Sequence, residues 1–187
     1  MKETTIKIFH FSELTPEAQE TAITNYMSNT DASAYHWHDE WLDSLKALAD
    51  HFGCRVADYQ ISTGRYSYAK LDTSRIEGDC LELRGVRAWT WLLVNGLGIN
   101  PEGHMPTGYC GDYEAFQPLA AFMLRPTDTS IAELIQDCAN SLVAGWVADM
   151  EHTESREYAL QELTEGYLCE EEAYTADGEL YLLGSEL

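Results

Sequence analysis

The residues best placed to do chemistry are His36, His38, Asp39 and Glu40, crowded around Trp37. On a helix, His36 and Glu40 stand one turn apart on one face, as do Asp39 and Asp43. Imidazole and carboxylate suit zinc and related divalent ions, but such ions take three or four ligands. The pattern is not the H-E-x-x-H of zinc peptidases, and no second cluster lies nearby in sequence. The plainer expectation is a helix that buries its tryptophans, turns its histidines and acids to water, and holds no metal or other cofactor.

A second candidate is Cys110, in Thr107-Gly108-Tyr109-Cys110-Gly111-Asp112, with His104 shortly before it. A Cys–His nucleophile needs the imidazole in hydrogen-bond reach and a third group to orient it. Sequence spacing supplies neither. A tight turn that needs its glycines and buries a small thiol explains the same residues. Gly96-Leu97-Gly98 follows a helical pattern rather than a strand, so it is not a dinucleotide-binding turn, and P-loop and G-x-S-x-G motifs are absent. Arg84 and Arg87 stand one turn apart and could hold an anion, but pairing with the chain's own acids is the simpler expectation. No catalytic residue is assigned.

Charge is the unusual property of this chain. Its 187 residues carry 32 acids and 11 Lys or Arg, a formal net charge of −21. Such a charge repels DNA, RNA and anionic membranes, whose binding needs Lys and Arg, and attracts basic partners. From Thr127 to Leu187 there are 15 acids and one base, Arg156. If one helix runs from Thr153 to Glu171, continuing or following the preceding one, then Glu151, Glu154, Glu162 and Glu165 fall within roughly 80° of one another. They would form a row about 21 Å long, opposite Leu160, Leu163 and Tyr167. With Glu157 and the run Glu170-Glu171-Glu172, they are the candidate partner-binding residues. The five cysteines are scattered and form no C-x-x-C pair, which points to a reducing compartment. No signal-peptide core and no membrane-spanning apolar run is present, so a cytoplasmic location is expected.

The elements that must position these groups predict a mostly helical α+β fold. One acidic domain, residues 1–187, holds a small antiparallel sheet and a C-terminal β-hairpin. Thr4–Phe11 alternates like a strand. Thr15-Pro16-Glu17 starts a helix running to about Met27, with Ala18, Ala22, Ile23 and Tyr26 on one face. A second helix, about Ala34–Phe52, buries Trp37, Trp41, Leu45 and Leu48 and stops at Gly53. Arg55–Ser62 and Arg65–Lys70 read as a hairpin around Thr63-Gly64, and Cys80–Leu83 as a further strand. Gly85–Asn95 reads as a buried helix. Residues from Asn95 to Asp112 form a long loop, and helices follow over about Tyr113–Leu124 and Thr129–Asp149. Asp177-Gly178 turns the closing hairpin, which could pair with the first strand.

Phe11-Ser12-Glu13-Leu14-Thr15-Pro16-Glu17-Ala18-Gln19 resembles the opening of a broad group of uncharacterised phage and prophage proteins. Thr107-Gly108-Tyr109-Cys110-Gly111-Asp112, leading into Pro118-Leu119, resembles their central motif, and Tyr174-Thr175-Ala176-Asp177-Gly178-Glu179 their end. The chain departs from the group at Ser62-Thr63-Gly64-Arg65-Tyr66-Ser67, where members carry a turn like Gln-Gly-Asp-Gly. The resemblance implies no activity and no catalytic residues. It implies an accessory protein of a bacterial virus acting in the host cytoplasm.

Together these readings predict a non-enzymatic phage protein. It would bind a basic host protein, of the class of defence or other DNA-binding proteins, by imitating a run of phosphates. Two alternatives stand beside it: a metal protein or enzyme using His36–Glu40 or the Cys110 loop, and an assembly protein whose tryptophans serve an interface. The plainest reading of the acids is a solvated face that keeps the chain soluble.

Overall fold

The computed structural model describes residues 7–29, 37–76, 78–99, 109–166 and 172–181. Its helices are α1 (Pro16–Asn29), α2 (His38–His51), α3 (Gly85–Val94), α4 (Asp112–Leu124), α5 (Ile131–Thr153) and α6 (Arg156–Glu165). Its strands are β1 (Arg55–Gln60), β2 (Tyr68–Asp72), β3 (Ala173–Tyr174) and β4 (Leu180–Tyr181), paired antiparallel as β1–β2 and β3–β4. The fold is therefore mostly helical α+β, as the patterning predicts. The chain divides into two compact units. One is built from both chain ends (1–35 and 150–187) and the other from residues 36–149.

In the end-to-end unit, Thr15 starts α1 as expected: its hydroxyl accepts the Ala18 N–H at 3.3 Å, with Pro16 in the first helical position. Ala18, Ala22 and Ile23 then face inward and join Phe11, Leu14, Ala159, Leu163 and Tyr174 in one core. The predicted first strand contracts to a single bridge within the described residues; residues 4–6 lie outside them. Phe9 donates to the Tyr174 carbonyl at 2.9 Å and Tyr174 donates back at 2.8 Å. Phe11–Glu13 is instead a turn of 3-10 helix, fastened by the His10 N–H donating to the Glu13 carboxylate at 2.9 Å. The closing hairpin forms, with Ala173 opposite Tyr181 and Tyr174 opposite Leu180.

In the 36–149 unit, α2 buries Trp41, Leu45 and Leu48 on the expected stripe. Trp37 does not belong to it: this residue precedes the first helical turn and is 41% exposed, and residues 34–36 lie outside the described set. Gly53 (φ +71°) ends α2 as expected. Its N–H returns to Asp50 and that of Cys54 to Ala49, satisfying the last carbonyls. The β1–β2 hairpin forms with an irregularity between Val56 and Asp58 and an Arg55–Asp72 ion pair at its open end.

The strand expected at Cys80–Leu83 is a 3-10 helix over Asp79–Glu82, leaving one bridge, Arg84 to Ser130. Helix α3 buries only Ala88 and Leu92. Its outer face exposes Val86, Leu93 and Val94, so it is not a buried helix. Along α5, Ile131, Leu134, Ile135, Cys138, Leu142 and Trp146 recur at three- and four-residue spacing and are all buried.

The start of α5 is tied down by Glu133. Its carboxylate accepts the Ser130 N–H at 2.8 Å, the Ser130 hydroxyl accepts the Glu133 N–H at 3.2 Å, and Arg84 grips both carboxylate oxygens at 2.9 and 3.1 Å. The Ser130 backbone bond first, then Arg84, hold this carboxyl at about 2. An unfolded glutamate titrates at ~4.3, so the contribution is full above that pH and is lost as pH falls through about 2. Glu133→Gln should flatten this part of the acid profile. An unchanged fall of the thermal midpoint between about pH 5 and 2 would dismiss the role.

Candidate functional site

The C-terminal acids do not share one helix. Of the two arrangements expected for a helix over about Thr153–Glu171, continuing its predecessor or following it, the second holds: α5 runs to Thr153 and a separate α6 starts at Arg156. Ser155 causes the break: its backbone is extended (φ −79°, ψ 150°), and its hydroxyl accepts the Tyr158 N–H at 3.1 Å, so it caps a new helix. Glu154 and Ser155 donate back to Met150 and His152, each at 2.9 Å, and finish the old one. The continuous row is thereby corrected. Glu151 ends α5, Glu154 lies in the link, and Glu157, Glu162 and Glu165 belong to α6. Glu170 and Glu171 lie outside the described residues, as does Tyr167.

On α6, Ala159 and Leu163 are buried, Tyr158 and Glu162 flank them, and Glu157 and Glu165 face water. Leu160, expected to pack, is 38% exposed. Glu151 and Glu154 are exposed as well. No ion pair among the described residues involves Glu151, Glu157 or Glu165. Arg156, the only base beyond residue 126, is held instead by Glu20 of α1. The break at Ser155 changes the layout of this negative surface but not its exposure.

Glu172 sits apart from the exposed acids. Its carboxylate accepts the Tyr174 phenol at 2.6 Å and lines a pocket of about 190 Å³ with Asn25, Tyr26, Asn29 and Leu180. Asn25, Tyr26 and Asn29 share one face of α1, and the hairpin supplies the opposite wall. Burial first, then Tyr158, Glu162 and Glu172, push the Tyr26 phenol up. Burial and the bond to Glu172 do the same for Tyr174. Tyr26 lies on the expected apolar face of α1 and packs against the core, whereas Glu172, expected on the negative surface, turns to the pocket instead. The three-residue spacing of Asn25 and the four-residue spacing of Tyr26 from Ala22 were the only local signal of a lined wall.

The other candidates are dispersed. His36 lies outside the described residues. His38 has its Nδ1 3.6 Å from Asp39 and its ring edge-on to Trp146, with centroids 5.0 Å apart. The Glu40 carbonyl accepts the Ser44 hydroxyl at 3.0 Å. Among the described residues, no three His, Cys, Asp or Glu are grouped to hold a metal. Cys110 is exposed, so the turn does not bury the thiol as expected, and His104 lies outside the described set. Although the residue is exposed, desolvation of its thiol, then the Glu40 carboxylate, push the thiol up, the wrong direction for a thiolate nucleophile. The neighbouring glycine has a packing reason: a Cβ on Gly111 would come within 2.8 Å of the Trp41 ring. The buried thiols of Cys54 and Cys138 are pushed up by burial to about 11 and about 12.

No described helix is long and apolar enough to cross a membrane. No family model, curated protein or solved structure matches this chain.

Proposed function

We propose that this chain is a non-enzymatic accessory protein of a bacterial virus that acts in the host cytoplasm by binding a basic protein. The target class is a defence or other DNA-binding protein, engaged by the exposed acids at the end of α5 and on α6 in place of phosphates. The observation that carries this reading is the state of those acids. Glu151, Glu157 and Glu165 face water without an ion pair among the described residues, while Arg156 is tied to Glu20. The net charge of −21 supplies long-range attraction that speeds encounter and weakens with salt. The three sequence stretches that resemble phage proteins supply the biological setting.

The test is a Glu151→Gln/Glu157→Gln/Glu165→Gln variant, used beside the parent chain to capture host DNA-binding proteins at low and high salt. The parent should retain a basic protein that high salt or excess duplex DNA releases. The variant should hold it about tenfold more weakly. Equal retention by a variant with an unchanged circular dichroism spectrum rejects the reading.

A further inference from the structure

We infer that the pocket between α1 and the β3–β4 hairpin binds a guanidinium group on an alkyl stem, with Glu172 as its counter-charge. At about 190 Å³ it is smaller than the ~300–1,000 Å³ clefts that take drug-sized ligands, so it suits one side chain or a small molecule of that size. One oxygen of Glu172, Oε2, is held by the Tyr174 phenol at 2.6 Å, which sets the orientation of the carboxylate. The other, Oε1, has no hydrogen-bond partner among the described residues. Asn25 donates through Nδ2 to Glu179 at 3.1 Å, which orients its amide and leaves Oδ1 to accept. Tyr26 and Leu180 offer apolar surface for an alkyl stem, and a phenol face attracts a cation.

The charge around the pocket selects the ligand. Among the described residues no Lys or Arg lines it, while Glu172 stands in its wall and the Glu162 charge acts on Tyr26. An anion would be repelled. A neutral apolar ligand would cover a carboxylate and leave its free oxygen unsatisfied. A guanidinium presents planar N–H donors to several acceptors at once and stacks on an aromatic ring, which a compact ammonium does less well.

Two sources share this chemistry: an arginine of a partner protein and a free guanidino compound. Only the first rests on the partner-binding reading above. The probes are N-acetylarginine amide and its neutral isostere N-acetylcitrulline amide, titrated into the full chain and followed by backbone amide resonances. The arginine amide should shift resonances of α1 and the β3–β4 hairpin saturably, and the citrulline amide should not. Glu172→Gln, which keeps an acceptor for the Tyr174 phenol, should weaken binding about tenfold or more. The variant altered at Glu151, Glu157 and Glu165 should bind the probe like the parent.

Absence of saturable shifts, equal binding of the citrulline amide, or undiminished binding by a folded Glu172→Gln chain overturns the site. The citrulline comparison decides the matter on the parent chain even if that variant misfolds. A lysine-flanked arginine peptide that binds more tightly than the single amide assigns the guanidinium to a partner protein, and equal affinity assigns it to a free compound. Salt-sensitive partner capture without probe binding overturns the pocket and leaves the acidic-surface reading standing.

Discussion

Trp146→Ala is expected to destabilise the 36–149 unit by about 3–5 kcal/mol, the range for deleting a large aromatic side chain from a close-packed core. Trp146 is 0% exposed. Its ring lies 6.2 Å from Trp41 and 6.1 Å from Tyr59 in stacked geometry, and His38 meets it edge-on. Removing it leaves a void that three flanking rings cannot all collapse into. All five tryptophans fall within residues 36–149, so tryptophan emission during denaturant unfolding reports this unit alone. A loss below about 1 kcal/mol would show that the stack does not anchor the core.

A comparison of two milder variants sharpens the argument. The Trp146 Nε1 is buried without a hydrogen-bond partner among the described residues, whereas the Trp41 Nε1 donates to Asp149 at 3.0 Å. Both Trp→Phe changes remove similar volume. Only Trp41→Phe also takes a donor from a half-buried carboxylate, so it should cost more, by about 1–3 kcal/mol.

Gly178→Ala should release the C-terminal hairpin, at a cost of about 2–4 kcal/mol to the unit built from the chain ends. Two effects add. Gly178 has φ +91°, a region that disfavours any side chain, and a Cβ there would lie 2.1 Å from the Ala18 carbonyl oxygen and 3.1 Å from the Thr21 Cβ. Both obstacles belong to α1, whose backbone cannot move aside without disturbing Ala18 and Ala22 in the core. The hairpin carries buried Tyr174 into that core, so its release opens the end-to-end unit and dismantles the Glu172 pocket.

Limited proteolysis is the readout, because this unit holds no tryptophan. Cleavage over residues 172–181 should accelerate strongly in the variant. Gly64→Ala is the control. At φ +68° with nothing within 4 Å it bears only the conformational penalty, about 1–2 kcal/mol, and in the other unit. Equal protease resistance of the Gly178→Ala chain and its parent would contradict the close approach.

Signals that act within one turn of chain could be read directly from the letters. Thr15-Pro16 at the start of α1, Gly53 at the end of α2 and Asp177-Gly178 in the last hairpin each set local backbone geometry through their own covalent structure. The excess of acid beyond residue 126 was equally plain, because charge is a property of composition. Ser155 is local too, yet the letters allow a continuous helix as well as one that restarts there. The residues on both sides favour a helix, and a serine shows its preference for capping only by competing with helix continuation. That competition broke the predicted carboxylate row.

Other features depended on which distant segments meet. Cys80–Leu83 has strand-forming residues but curls into a 3-10 turn, with Arg84 making only a single bridge to Ser130. Phe9 finds its partner in Tyr174, and the two chain ends close into a unit of their own. The Glu172 pocket needs a face of α1 and a hairpin from the opposite terminus, and nothing in either segment announces the other. Caps, turns and net charge follow from neighbouring residues alone. Enclosure, burial and the choice of partner follow from packing, where free energy depends on atoms brought together from remote parts of the chain.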